Sequence, residues 1–462
     1  MSINDFVNKE LVLFSRQDCV RSIPSMIDGL KPSQRKVLYG CLRRNLTKEI
    51  KVVQLSGYIS ETVLYHHGEQ SLNQTIVSMA QDFVGTNNLN FLVPNGQFGT
   101  RIMGGRDSAS PRYIYTYLQP ITKFVFREED DALLPRQEEE GVQIEPKHFL
   151  PILPTVLVNG ATGIGTGWST TICNHNPVEV VDRLIARLNG DASVEPINPW
   201  YRGFTGCFKR DPASCGQTFR VYGHCQWVDS ATLVIDELPV GRWTQDYKLF
   251  LCELLQQGKL ISGFRENHTD TEVSFTVSVK EEAAKELLTN EEECMRVFKL
   301  VSTLSTSNFF LFNAEGHIQH YKDALEILDD FIAYRLPFYQ QRKECLLKSI
   351  SARKKELQNK AQFVQSVVDG EIQLKNRSMK SVVEELEKKG LQKENGNFGY
   401  LLSMPLSQLT MEEKRDLETR KAEMEQKEAE LEQKTSKDLW IDDLKEFRKT
   451  FLAVGNPDWS HS

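Results

Sequence analysis

Apolar and polar positions recur with a helical period in several stretches of the chain. Val37, Leu38, Cys41 and Leu42 stand at i, i+1, i+4 and i+5, which sets one apolar stripe opposite Arg35, Arg43 and Arg44. Pro32 follows Asp28-Gly29-Leu30-Lys31 at a first helical position, where its missing N–H breaks no bond. The spacing predicts a helix from Pro32 through Arg44. A second helix, over residues 69–83, carries Leu72, Ile76, Met79 and Ala80 at the same spacing. Two short helices with a basic face fit a helix-turn-helix or winged-helix reader.

Over residues 176–305 the period changes. An apolar helix over 178–188 gives way to strand-like runs, notably Thr232-Leu-Val-Ile-Asp236 and the alternating Glu272-Val-Ser-Phe-Thr-Val-Ser-Val279. This predicts an α+β module. After Tyr321 the chain turns helical and charged. Leu325, Leu328, Ile332, Tyr339, Leu346, Ile350, Leu357, Ala361, Val364 and Val368 step by three, four or seven, the seam of a long helix packed on a partner. Pro337 predicts a break or kink in it.

Thr410 and Glu413 form a capping box opening a helix over 411–434, with Leu417, Met424 and Leu431 seven apart. At about 1.5 Å per residue that helix runs ~36 Å. An antiparallel pair follows, one helix going out and one coming back. Residues 370–410, with Gly390, Gly396 and Gly399, make a small module at the tip. Such an arm suits a spacer or a dimer gate.

Composition narrows the class. The 462 residues allow about three domains at roughly 150 residues each. With 40% apolar and 26% charged residues the chain is a folded one. No stretch approaches the ~20 apolar residues of a membrane helix, and MSINDFVNKELVLF lacks a signal peptide's charge and apolar core. Nine cysteines with no CxxC pair point to free thiols in a reducing compartment. The set Cys207, Cys215, His224 and Cys225 matches no common zinc spacing, so small buried thiols are expected.

The net charge of −7 conceals an asymmetry. Residues 21–56 hold eight basic side chains (Arg21, Lys31, Arg35, Lys36, Arg43, Arg44, Lys48, Lys51) against Asp28 and Glu49, whereas residues 121–148 hold four basic and eight acidic ones. Fields within a Debye length decide binding, so the basic block is able to hold phosphates. A merely solvated helix face fits the charge equally well.

Three segments are candidates for chemistry. In Pro111-Arg-Tyr-Ile-Tyr-Thr-Tyr117 the tyrosines alternate, so a strand would put all three on one face. They form either an aromatic stripe or the surroundings of a nucleophile. A phenol is a weak nucleophile at neutral pH and needs an activator. Arg112 is adjacent, with Arg101 and Arg106 on the approach, and guanidinium groups stabilise charge on a transferring phosphoryl. Spacing does not choose among Tyr113, Tyr115 and Tyr117. Tyr65-His66-His67-Gly68-Glu69-Gln70 offers phosphate donors or local caps rather than a metal site, because adjacent residues rarely chelate one ion. Asn159-Gly160-Ala-Thr-Gly163-Ile164-Gly165-Thr-Gly167, after a strand-like 154–158, fits neither G-x-G-x-x-G nor a P-loop. It predicts a glycine-rich hairpin with Ile164 at its tip, an apolar wedge beside a basic face.

Five runs, Asp28-Gly-Leu-Lys-Pro-Ser-Gln-Arg-Lys-Val37, Tyr65-His-His-Gly-Glu-Gln70, Gly96-Gln-Phe-Gly-Thr-Arg101, Gly104-Gly-Arg-Asp-Ser-Ala-Ser-Pro-Arg-Tyr113 and Gly163-Ile-Gly-Thr-Gly-Trp168, stand in this order. Together they resemble eukaryotic-type DNA topoisomerase II (type IIA), over essentially the whole chain. The resemblance implies an α+β multidomain fold: a winged-helix DNA cleavage domain over 1–172 and an α/β tower domain over 173–318. A long antiparallel coiled-coil arm over 319–370 and 411–452 and a small helical C-gate dimerisation module over 371–410 complete it. Thr162 stands where the family usually has an acidic residue.

The resemblance also implies a homodimer that, with ATP, cuts both strands of one DNA duplex and passes another through. Tyr113 matches the nucleophile that forms a 5′-phosphotyrosine ester, and Arg112 the arginine that stabilises the transition state. His67 and Arg35 match contacts to the scissile phosphate region. Lys31, Tyr65 and Trp243 match DNA contacts, joined by Lys36, His66 and Gln70, and Ile164 matches an intercalating isoleucine. No metal ligand is expected within the chain. It has no P-loop, and Asp107-Ser-Ala109 lacks the Glu-Gly of the toprim signature. ATP and Mg²⁺ are therefore expected on an ATPase/toprim domain or subunit, in cis or in trans, and no membrane partner is expected. A nuclear address comes from the family alone; a mitochondrion or other organelle stays open. The alternative is a non-cleaving DNA-binding and dimerisation clamp, against which the intact Tyr113, Arg112 and His67 weigh.

Overall fold

The computed structural model describes residues 2–66, 68–191, 193, 195–214, 217–372, 378–393, 396–405, 408 and 410–453. The chain forms two compact units: one runs to Arg335 and resumes at Ile441, and the other is Leu336–Trp440. The fold is mixed α+β.

In the first unit the helices Pro32–Arg43, Val52–Thr62 and Glu69–Ala80 pack on one another. Their inward faces bury Val37, Leu38 and Cys41, then Val52, Leu55 and Ile59, then Leu72 and Ile76. The third helix ends at Ala80, short of the expected residue 83. Gln81 turns to an extended conformation and its side-chain amide donates to the Phe98 carbonyl at 2.9 Å. Its own carbonyl accepts from Asn87 Nδ2 at 2.8 Å. These partners take the helix end out of the period that the apolar positions set.

Two strand expectations are corrected. The run at 154–158 is not a strand but the short helix Thr155–Asn159. All of Thr155, Val156, Leu157 and Val158 are buried, and a run apolar all round carries no period to distinguish strand from helix. Tertiary bonds decide it: the Thr155 hydroxyl donates to the Asp28 carbonyl at 2.6 Å, and His175 N–H to the Leu157 carbonyl at 2.9 Å. Likewise Tyr113, Tyr115 and Tyr117 do not share a strand face. Only Tyr115–Thr116 is strand, paired antiparallel with Ile50–Lys51, while Tyr113 lies in a turn closed by its N–H donating to the Ser110 carbonyl at 2.9 Å. Ser110-Pro111 starts that turn because proline fixes φ and cannot donate.

Helix Pro177–Leu188 leads into two antiparallel sheets. One orders Ile261–Glu266, Phe275–Val279, Thr232–Glu237 and His224–Trp227; the other orders Val301–Ser305, Thr218–Tyr222 and Cys207–Arg210. Leu233, Ile235, Phe275, Val277 and Val279, one face of the alternation, pack with Tyr247 and Leu251 of helix Thr244–Gln257 into a single core.

Helix Ala324–Val368 is 45 residues long and holds Pro337 in its interior, so of the break or kink expected there the break does not occur. Pro337 and Ala333, whose carbonyl it deprives of a donor, are both exposed, so the missing bond leaves no buried polar group. In the second unit this helix runs antiparallel to Met411–Gln433, which Thr410 caps by accepting from Glu413 N–H. Lys343 donates to the Glu432 carbonyl at 2.9 Å, Lys354 pairs with Glu428, and Leu357 and Val364 pack on Leu417. Phe363, Ile372, Val382, Leu386, Leu391, Phe398 and Leu401 form a small core with helix Met379–Lys388.

Candidate nucleic-acid interface

The turn bearing Tyr113 is fastened through its backbone. The first N–H groups of a helix have no intrahelical acceptor. In helix Val52–Thr62 those of Val52 and Val53 donate to the carbonyls of Ile114 (3.1 Å) and Pro111 (3.2 Å). The Tyr113 side chain is left 70% exposed, with the Arg112 guanidinium 5.6 Å from its ring centre. Arg112 is exposed as well, its Nε donating to Ser110 Oγ at 3.4 Å. Tyr115, under the Lys51 ammonium at 5.9 Å, and Tyr117 are half-buried. Exposure thus separates three tyrosines that spacing left equal. Arg101 is not on the approach: it is buried in an ion pair with Glu237. Arg106 is exposed and lies 3.6 Å from Asp246.

Arg35 departs from the solvated face its spacing implies. Its Nε and Nη2 donate to the Asp28 carboxylate at 2.7 and 3.0 Å, and Nη2 also to the Leu30 carbonyl at 3.0 Å. Asp28 is fully buried and further accepts from Leu30 N–H (3.1 Å) and Phe149 N–H (3.0 Å). Burial pulls the Arg35 pKa down, but the Asp28 carboxylate outweighs it and the net direction is up. Lys36 pairs with Glu145 at 2.9 Å and donates to the Val63 carbonyl at 3.2 Å. Lys31 reaches the Thr162 carbonyl at 2.8 Å, and burial lowers its pKa.

The expected glycine hairpin is present as Ala161–Gly165 paired with Trp168–Ile172. Gly163 and Gly165 face helix Val12–Ser22: a Cβ on Gly163 would lie 2.0 Å from the Ser22 carbonyl oxygen, and one on Gly165 3.1 Å from Cys19 Cα. Thr166 fastens the bend by donating to Asp18 at 2.8 Å. Strand alternation then turns Ile164, between the two glycines, to the open side, where it is 80% exposed. The glycines are there for a helix, not for a phosphate.

His66 is exposed with Nε2 3.2 Å from Glu139 Oε1, and Gln70 is exposed in the first turn of helix Glu69–Ala80. Tyr65 is half-buried beside them, and His67 lies outside the described residues. Trp243 is a packing residue, half-buried against Gly104, where a Cβ would come within 2.3 Å of its ring, and edge-on to Phe83 at 6.0 Å. The structure therefore brings Arg112 to Tyr113 and Lys31 to the Ile164 hairpin. It commits Arg35, Lys36 and Trp243 to the scaffold. Of the cysteine set, Cys207 is exposed, Cys225 contacts Met295 at 3.7 Å, His224 pairs with Asp236 at 2.5 Å, and Cys215 lies outside the described residues. Among the described residues no group of three or more His, Cys, Asp or Glu side chains could hold a metal ion, and no helix is long and apolar enough to cross a membrane. Asp28, Glu139 and Glu145 were not singled out by the sequence. The signals were an acid seven residues before Arg35 and a Glu-Glu-Glu-Gly run, neither of which names its partner.

Residues 21–445 match the A-subunit family of DNA gyrase/topoisomerase IV. The chain belongs to that family. It is 40% identical to DNA topoisomerase 2 of Arabidopsis thaliana over 97% of its length, and 41% identical to DNA topoisomerase 2-alpha of Mus musculus over 98%. A mitochondrial DNA topoisomerase 2 of Dictyostelium discoideum is 42% identical over 96%. The chain spans about a third of each of these relatives, at 33%, 32% and 35% of their lengths. Among solved structures, the Plasmodium falciparum topoisomerase II DNA-binding, cleavage and re-ligation domain superposes with a TM-score of 0.89 at 40% identity, covering 98% of this chain and 66% of that one.

Proposed function

We propose that the chain is the breakage-reunion portion of an ATP-dependent type II DNA topoisomerase, an isomerase acting as a homodimer on double-stranded DNA. The observation that carries this is Tyr113: an exposed phenol on a backbone-fastened turn, with a guanidinium beside its ring. The Tyr113 oxygen attacks a backbone phosphorus, forms a 5′-phosphotyrosine ester and expels the 3′-hydroxyl. Attack of that hydroxyl on the ester reseals the strand and frees the phenol. Arg112 stabilises charge on the transferring phosphoryl.

The family resemblance places Arg35 and His67 at the scissile phosphate region; Arg35 is held there by its Nε and Nη2 bonds to Asp28. Lys31, Lys36, Tyr65, His66, Gln70 and Trp243 shape or line the DNA path. Ile164 enters the base stack, and bending plus unstacking costs several kcal/mol, offset by basic contacts. Residues 1–172 are read as the winged-helix domain, 173–318 as the tower, 319–370 with 411–452 as the arm and 371–410 as the dimerising C-gate. Among the described residues no group of three or more His, Cys, Asp or Glu side chains offers a donor set for Mg²⁺. ATP and Mg²⁺ are assigned to an ATPase/toprim region in cis or in trans. The family argues for a nuclear protein, and the mitochondrial relative names the other address.

Supercoiled plasmid with Mg²⁺, quenched with detergent, tests the reading. Protein covalently joined to 5′ DNA ends is expected when an ATPase/toprim fragment is supplied, and none with Tyr113→Phe, which should still bind DNA. Adducts persisting in that variant would remove Tyr113 as nucleophile. Salt-sensitive binding with no adducts under any condition would establish the non-cleaving clamp instead.

A further inference from the structure

We propose that Cys225 and Cys294 are a dithiol that a hydroperoxide closes into a reversible disulfide, an oxidation site independent of the DNA-binding reading. The two thiols come from distant parts of the chain. Cys225 lies on strand His224–Trp227, at the edge of the four-stranded sheet, and Cys294 on helix Glu291–Val297. Along that strand His224 and Gln226 are exposed, while Cys225 and Trp227 are half-buried against the core that buries Cys294. Backbone bonds hold helix and strand in register: Leu300 N–H donates to the Met295 carbonyl at 2.7 Å, and Gly223 N–H to the Leu300 carbonyl at 2.8 Å. Cys225 Sγ lies 3.7 Å from Met295 Sδ, and its thiol shares a hydrogen bond with Cys294. The fold thus delivers two free thiols into direct contact, which is the first requirement of a disulfide.

Other buried thiols of the chain behave differently. Burial pushes Cys41 and Cys173 up to about 12. Cys294 is buried like them, yet its pKa goes down, because the Cys225 thiol donates to it. That same bond, followed by burial and the charges of Cys294, Glu291 and Asp236, pushes Cys225 up. On ionisation the pair holds its charge on the inner sulfur and its proton on the outer one. Half-buried Cys225 is the sulfur that peroxide reaches first. Passing its proton to Cys294 along the shared bond, Cys225 attacks one peroxide oxygen; the O–O bond breaks, hydroxide leaves and a sulfenic acid forms. Cys294 sulfur then attacks the Cys225 sulfur, the S–O bond breaks, and the Cys294 proton leaves with that oxygen as water. The hydroxide takes up the proton released when the pair ionised. Two thiols have lost two electrons and two protons, and the peroxide has become two waters. A small thiol reverses the bond by exchange.

The test exposes the whole chain to hydrogen peroxide, raising the dose until Cys207, an exposed thiol, is oxidised. Remaining thiols are alkylated in denaturant and the peptides mapped by mass spectrometry. Wild type should yield a peptide pair joined through Cys225 and Cys294, lighter than its parts by two hydrogens and separated again by dithiothreitol. In Cys294→Ala the Cys225 sulfenic acid loses the thiol that resolves it, so its capture by dimedone should rise about fivefold or more over wild type. Cys225→Ser should leave Cys294 alkylated as a free thiol. Recovery of Cys225 and Cys294 as free thiols in wild type once Cys207 is oxidised would overturn the inference, as would Cys225 joined to any other cysteine. Equal dimedone capture in wild type and Cys294→Ala would overturn it too.

Discussion

The Tyr113 turn and the Asp28–Arg35 cradle belong to the same unit, yet they are built in opposite ways. In the cradle the functional-looking side chain is consumed by the fold: Arg35 gives two of its three nitrogens to Asp28, and Asp28 gives its remaining capacity to backbone N–H groups. In the turn only the backbone is fastened, and the side chains of Arg112 and Tyr113 are turned outward. The Ile164 hairpin repeats the second pattern, with glycines packed inward and one large apolar residue presented. Residues of one motif set thus divide into those that build the platform and those mounted on it. Damage to the first should appear as lost stability, and damage to the second as lost chemistry on an intact fold.

The largest expected effect is Asp28→Ala, which leaves Arg35 buried without its carboxylate. Denaturant unfolding should show a loss of about 3–5 kcal/mol; a loss below about 1 kcal/mol would erase the distinction. Next comes acid. His175 is buried, its Nδ1 donating to the Leu157 carbonyl at 2.9 Å, and burial lowers its pKa to about 4. The unfolded imidazole, near 6.5, binds a proton that the folded one refuses, so stability is full above ~6.5 and falls as pH drops toward ~4, by about 3 kcal/mol. His175→Gln should flatten that slope in a pH series of unfolding curves. Gly163→Ala pushes a methyl into the Ser22 carbonyl, and about 1–3 kcal/mol should go with the shift of helix Val12–Ser22. Smallest in stability are Arg112→Ala and Ile164→Ala, each within about 0.5 kcal/mol of wild type. Arg112→Ala should nevertheless cut covalent adducts by roughly 10²-fold or more, and Ile164→Ala should reduce DNA bending seen by gel or energy transfer. Unchanged bending would remove the wedge.

Local signals were readable and distant partners were not. Pro32 at a helix start, the Thr410 cap, the seven-residue steps of Leu417 and Met424, and the tip position of Ile164 all follow from residues within a turn or two of one another. What decided the rest lies far along the chain. Asp28 meets the backbone of Phe149, Lys36 meets Glu145, and Arg101 meets Glu237, partners separated by 121, 109 and 136 residues. The number of basic residues in 21–56 does not tell that Arg35 and Lys36 are paired within the fold, with Asp28 and Glu145. The apolar run at 154–158 failed for a related reason, because burial on every side removes the period that sequence reading depends on. The tyrosine alternation failed because a proline-led turn intervenes before the strand begins.

Gly163 and Gly165 flank Ile164 on the hairpin and pack on helix Val12–Ser22. Because both neighbours bear the packing, position 164 works as a tool holder with an exchangeable bit. A fluorescent or crosslinking residue mounted there would ride on an undisturbed hairpin and report what the tip touches, leaving the grip on helix Val12–Ser22 as it was.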